Sequence, residues 1–386
     1  MSFVHLRVHT EYSLVDSIIR VEPPKRKGRS GGNSQTLTER ARDMKLPALA
    51  ITDLGNLFGA VKFYTAARRA GVKPILGAEV CMTAEGSEKA CTRLVLLVHN
   101  RAGYLNLCTL LSRGWLENAA SGHATIEWAW LAECAEGLIV LSGAESGALG
   151  RALLAGDGAR AEAVAERLAR WFPRRFYVEV QRAGLPGNEA HLRAAVELAA
   201  RLALPVVATH PVQFLTADDH EAHEARVCVA DGEMLANPRR VKRFSREQYF
   251  KSQAQMEQLF ADLPSALANT VEIAKRCNLS LALGKPVLPD FETPLRDGAR
   301  VPMAEYFRIA AHEGLEARLA RLYPDPAARG RERARYVERL DFEIETILKM
   351  GFPGYFLIVA DFINWAQTHG CPVGPGLPGC RGPSPS

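Results

Sequence analysis

The 386-residue chain predicts an α/β fold: a βα barrel of about seven parallel strands with outer helices, followed by a mostly helical segment. Three observations predict it. Short apolar runs alternate with amphipathic Ala/Arg/Glu-rich stretches through roughly the first 280 residues. Polar side chains collect where the apolar runs end. A Pro-rich stretch then separates this pattern from long charged helices.

Strands are expected at Phe3–Val8, Ala48–Thr52, Ile75–Met82, Leu94–Val98, Leu138–Ser142, Phe176–Val180 and Pro205–Thr209. Each is short and rich in branched apolar residues, as a parallel strand covered on both faces requires. Amphipathic stretches such as Ala152–Phe172 and Glu189–Leu202 supply the covering helices. Seven strands suit a closed, slightly irregular barrel better than an open doubly wound sheet. His9, Asp53, Glu79, His99, Ser142, Gln181 and His210 fall at or just beyond strand C-termini, the rim on which βα barrels build sites. Any one of them could be polar because strand ends meet water; as a set they point to a present or ancestral site.

Residues 22–36 form a Pro/Gly/Ser-rich basic insertion, too polar to bury a core and expected to be mobile. A solvated insertion is favoured over a set of added phosphate contacts. Pro286, Pro289 and Pro294 mark an extended linker, so the expected division is 1–283, 284–376 and a tail 377–386. Ala304–Tyr323 and Gly330–Met350 read as charged helices, and Phe352–Ala366, apolar nearly all round, as a buried one.

Hydrophobic content of 47% and charged content of 24% are ordinary for a soluble globular protein. No apolar run reaches about 18 residues, so no membrane helix is expected. The N-terminus lacks an apolar signal core, so a cytoplasmic location is expected. The eight cysteines form no Cys-x-x-Cys pair and read as reduced thiols, mostly small core residues. A net charge of +5 fits a nucleic-acid partner without arguing for one. His220, His223 and Glu224 lack zincin spacing, and Thr216 with Asp219 reads instead as a capped helix start. His5 and His99 read as hydrogen-bonded histidines rather than ligands.

Ordered motifs identify a relationship. Val4–Asp16, Ile51–Tyr64 and Lys73–Glu79 resemble successive motifs of the PHP (polymerase and histidinol phosphatase) domain. Gly103–Leu107, Gly137–Gly143, Pro205–Thr209 and Asn269–Cys277 resemble its polymerase branch, and Lys349–Gly376 resembles the opening of a palm domain. Together they resemble the C-family replicative DNA polymerases of bacteria, the polymerase III alpha (catalytic) subunit, over about residues 2–376.

The resemblance implies a PHP-type barrel followed by the start of a palm. Some relatives hold metal ions on the barrel rim and hydrolyse phosphoesters or proofread. Of the matching positions here, His9, Asp16 and Glu79 keep ligand types. Arg7, Leu54, Arg93, Ala144, Pro211 and Gln213 do not keep the metal-binding pattern. A guanidinium cannot ligate a metal and repels one. The expectation is therefore no metal and no phosphoesterase activity, with Arg7 and Arg93 pairing Asp16 and Glu79. Gly374, Pro375 and Gly376 match the remnant of a nucleotide-binding loop.

The family's palm carboxylates, which hold two Mg²⁺ ions, would lie beyond Ser386. No catalytic residue is nominated, this chain is expected to use no cofactor, and it is expected not to polymerise alone. The tail Leu377–Ser386 departs from the family pattern and has the composition of a frameshifted Gly/Ser/Ala loop. Implied partners are the proofreading exonuclease subunit on the PHP domain and, for the full-length protein, primer–template DNA and a sliding clamp; no membrane is implied. The rivals are a scaffold that binds the exonuclease subunit and an independent metallo-phosphoesterase.

Overall fold

The computed structural model describes residues 3–23, 35–83, 91–119, 124–285 and 287–374. The chain divides into two compact units, Met1–Leu281 and Ala282–Ser386.

In the first unit, β1 (Ala48–Leu54), β2 (Lys73–Met82), β3 (Thr92–Val98), β5 (Leu138–Leu141), β6 (Phe176–Gln181) and β7 (Val206–Thr209) run side by side in that order. The two-residue β4 (Thr125–Ile126) pairs with the end of β2. The segment expected as a first strand, Phe3–Val8, is extended but forms only an isolated bridge, Val8 to Val212. It joins β1 through Ala50 N–His5 O (2.9 Å) and Thr52 N–Val8 O (2.8 Å). On its other side Val212 N bonds Arg7 O at 3.2 Å. The sheet thus curls until its two ends share one segment.

The strands are not all parallel. β3 runs antiparallel to both β2 and β5. The physical reason lies in the connection: residues 83–91 are too few for the crossover helix that a parallel return needs. Reversal places the start of β3 on the rim where the other strands end. His99, expected on that rim, therefore lies at the opposite end, its N–H bonded to Gly137 O just before β5.

Strand side chains alternate between two faces. Ala48, Ala50, Ile75, Val95, Leu97, Ile139, Leu141, Tyr177 and Val207 meet inside the barrel. Leu49, Ile51, Leu76, Leu94, Leu96, Val178 and Val180 face the outer helices. The lower end is capped by α10 (Pro264–Arg276), whose Ile273 and Ala274 join the inner cluster with Cys277. Thr270 Oγ1 there accepts a bond from Val4 N at 3.0 Å.

Outside the sheet lie α1 (Leu37–Asp43), α2 (Ala60–Arg69), α3 (Arg101–Glu117), α4 (Trp128–Glu133), α5 (Ala148–Leu154), α6 (Gly158–Trp171) and α7 (Asn188–Arg201). The stretch Ala152–Phe172 is not one helix. Gly156 at φ +76° ends α5, and the Asp157 carboxylate caps α6 by accepting from Arg160 N. Thr216 and Asp219 form the expected reciprocal cap, leading through one 3₁₀ turn into α8 (His220–Asp231). α9 spans Gln253–Leu259. Of the basic insertion, residues 24–34 lie outside the described residues.

The second unit opens with a hairpin of β8 (Leu295–Arg296) and β9 (Ala299–Arg300), turned at Asp297-Gly298, both with positive φ. α11 (Met303–Leu322), α12 (Pro326–Met350) and α13 (Pro353–Thr368) follow. Their shared core is Phe307, Ile344 and Leu357. α13, expected to be buried, hides only Gly354 and Leu357 and leaves Phe362 and Trp365 exposed. Neighbours on one side cannot cover a helix that is apolar all round. Among the described residues, no single helix is long and apolar enough to cross a membrane. Gly374 lies in a stretch without regular structure, while Pro375, Gly376 and the tail 377–386 lie outside the described residues.

Candidate functional site: the charged rim of the barrel

Continuing the inward alternation one step above the apolar floor gives Thr52, Glu79, Arg93, Glu179 and Thr209. Arg93 reaches this level only because β3 is reversed, which sets it opposite Cys81 in register. Arg7 and His9 come from the closing segment, and Asp16 from the loop after it.

Glu79, fully buried, is the hub. Its Oε2 accepts from Arg7 Nε at 2.9 Å and lies 3.0 Å from His9 Nε2. Its Oε1 accepts from Arg93 Nη1 at 2.8 Å. Arg93 Nη1 also lies 3.5 Å from Asp16 Oδ2, which is 3.8 Å from His9 Nδ1. Arg7, itself only 6% exposed, extends Nη1 to Glu179 Oε1 at 3.3 Å. Burial pushes the Glu79 carboxyl up, but Arg7, Arg93 and His9 outweigh it and hold it well below the usual range. For Arg7, burial acts to lower the value and the two carboxylates raise it further. Arg93 is raised mainly by Glu79.

The pairing expected of Arg7 and Arg93 is thus present, with one partner that sequence reading missed. Glu179 is fully buried and also accepts from Gly143 N (3.0 Å), Gln181 Nε2 (3.1 Å) and Thr209 Oγ1. Gly143 sits at φ +82°, and a Cβ there would lie 2.0 Å from the Arg93 carbonyl oxygen, so only glycine fits. A sequence signal for Glu179 existed: one carboxylate on the inward parity of a Val-rich strand must find a buried cation.

Other nominated positions do different work. Asp53 accepts from Thr10 N (2.6 Å), Thr10 Oγ1 (2.8 Å) and Ser13 Oγ (2.6 Å), fixing the loop that carries Asp16. Ser142 Oγ accepts from Glu179 N at 2.9 Å. Leu54 and the buried Ala144 present no polar side chain to the cluster. The Pro211 carbonyl accepts from Gln248 Nε2, and the Gln213 carbonyl from Ser17 Oγ. Neither Pro211 nor Gln213 hydrogen-bonds into the charged cluster through its side chain. His210 instead bonds Glu247 O at 2.8 Å, and His5 bonds Lys251 O at 2.8 Å while stacking on Phe250. His223 bonds Asp16 O at 2.9 Å, and Glu224 pairs Arg240 at 2.5 Å, in keeping with a structural helix. Among the described residues, no group of three or more His, Cys, Asp or Glu side chains is arranged to hold a metal ion.

Comparison with known proteins follows the same division. Residues 5–183 match the PHP domain, and residues 305–382 match the family described as Bacterial DNA polymerase III alpha NTPase domain. The DNA polymerase III subunit alpha of Pseudomonas aeruginosa is 49% identical over 377 residues. That of Neisseria meningitidis serogroup A is 46% identical over 378 residues, and that of Escherichia coli K12 is 44% identical over 374. The chain is similar to DNA polymerase III alpha subunits over nearly its whole length.

Each of these alpha subunits aligns with 97% of the chain, which spans only 31–32% of their own length. Arg7, His9, Glu79, Arg93 and Glu179 all lie within the PHP match, whereas β7 and α10, which complete the barrel, lie beyond it. The barrel unit of this chain is therefore longer than the matched segment.

Proposed function

We propose that this chain supplies the N-terminal part of a replicative DNA polymerase III alpha subunit, in which its barrel is a metal-free scaffold. The Arg7–Glu79–Arg93 ion-paired hub carries this reading. Both oxygens of Glu79 are engaged by guanidinium groups, and a metal ion would have to displace two cations, buried Arg7 and partly exposed Arg93, to reach them. The donor set does not suit a metal cluster, so no hydrolytic step is derived through one. With both Glu79 oxygens held by guanidinium groups, the phosphoesterase reading loses the metal its chemistry needs.

Template-directed DNA synthesis with Mg²⁺, acting on primer–template DNA with a sliding clamp, belongs in this reading to the whole subunit rather than to the residues described. The scaffold's partner is the proofreading exonuclease subunit, and the setting is the cytoplasm. Two measurements test the reading separately. Metal analysis of chain purified with added Zn²⁺ and Mn²⁺ is expected to find substoichiometric metal; one or more tightly bound ions per chain would overturn the metal-free rim. Binding of the chain to immobilised exonuclease subunit is expected at micromolar concentration; its failure would overturn the scaffold role and leave the metal result standing.

A further inference from the structure

Two of the cysteines are neighbours. Cys81 lies on β2 opposite Arg93, and Cys91 lies two residues before Arg93. In an antiparallel pair this puts both side chains on the same face, on the diagonal. The two thiols are in hydrogen-bond contact. Cys81 is buried and Cys91 half-buried, and neither is in a disulfide.

We propose that Cys81 and Cys91 are a redox modification site that closes to an intrachain disulfide when a peroxide reaches it. Exposure sets the order of events. Cys91, the more accessible sulfur, attacks a peroxide oxygen as its thiolate; the O–O bond breaks, hydroxide leaves, and Cys91 becomes a sulfenic acid. Cys81 then attacks the Cys91 sulfur; the S–S bond forms, the S–O bond breaks, and the hydroxyl leaves with the Cys81 proton as water. Two thiols and one peroxide become one disulfide and two waters, two electrons passing from sulfur to oxygen. The bond to Cys91 and then burial push the Cys81 thiol up, so it stays protonated while Cys91 reacts first, and it gives up that proton to the departing hydroxide as it attacks. A diagonal pair must close by roughly an ångström or more to meet disulfide geometry. The bond is therefore strained and readily reduced by a dithiol, as expected of a reversible site.

The sequence makes the test direct, because trypsin cuts after Lys89, between the two cysteines. The full chain is reduced, treated with hydrogen peroxide, alkylated and digested without reductant. The expected product is Ala70–Lys89 linked to Ala90–Arg93, with loss of two alkylatable thiols and two hydrogens in mass, all restored by dithiothreitol. Cys81→Ser and Cys91→Ser should each abolish the link. In Cys81→Ser the sulfenic acid should accumulate on Cys91. Peroxide that leaves both thiols free, over-oxidises Cys91 without a link, or first joins chains through the exposed Cys371 would overturn the proposal.

Discussion

The two units spend their apolar residues differently. The barrel unit hides an inner and an outer apolar layer and sets buried charges above the inner one. The helical unit gathers a small buried cluster of Phe307, Ile344 and Leu357, buries Leu319 apart from it, and leaves Phe342, Phe362 and Trp365 in solvent. A unit with two covered faces can hold charges at fixed positions; one with a thin core cannot. The barrel should therefore be sensitive to single polar changes, and the helical unit tolerant of apolar ones.

The largest contrast is expected at Glu79. Glu79→Gln removes the carboxylate shared by buried Arg7 and partly exposed Arg93 and leaves each with one longer pair, to Glu179 and to Asp16; urea denaturation should show the barrel losing about 3–5 kcal/mol. A loss under about 1 kcal/mol would mean that the hub is solvated. Next in size is an acid effect. Burial lowers His5 from its ordinary 6.5 to about 4, opposed by the bond to Lys251 O. The unfolded chain therefore takes up this proton first. The stabilisation is complete above pH 6.5 and is lost as pH falls toward 4, about 3 kcal/mol in all. His210, lowered to about 3, mainly by burial, acts in the same direction. His5→Phe should flatten the dependence of the urea midpoint on pH between 6.5 and 4. In the helical unit, Leu357→Ala should cost about 2 kcal/mol, the lower end for a core leucine, visible as faster amide exchange in α11–α13 with the barrel unchanged. Smallest of all, Trp365→Ala on the same helix should move stability by about 0.5 kcal/mol or less.

Much of the barrel was legible because its strands are apolar and its helices amphipathic. The direction of β3 was not, since alternation reads the same in either sense; the short link at 83–91 was the overlooked signal. The break between α5 and α6 was also written locally, in Gly156-Asp157, but the periodicity on both sides masked it. At the rim, Arg7 and Arg93 declared themselves as cations among ligand-type residues. Glu179 gave only the weaker signal of a lone carboxylate at an inward strand position, because the partner that gives it meaning lies 172 residues away. α13 shows the reverse limit: composition says that a helix wants cover, not whether cover is nearby.

The α10 cap has a consequence for how the protein is made. Val4 meets Thr270 across 266 residues, so the segment that completes the barrel leaves the ribosome first and its lock leaves last. At about 5–20 residues per second, the N-terminal segment waits on the order of ten to fifty seconds for that helix. During that interval the inner faces of the strands have no lid, and the nascent chain is a client for any chaperone that recognises apolar surface.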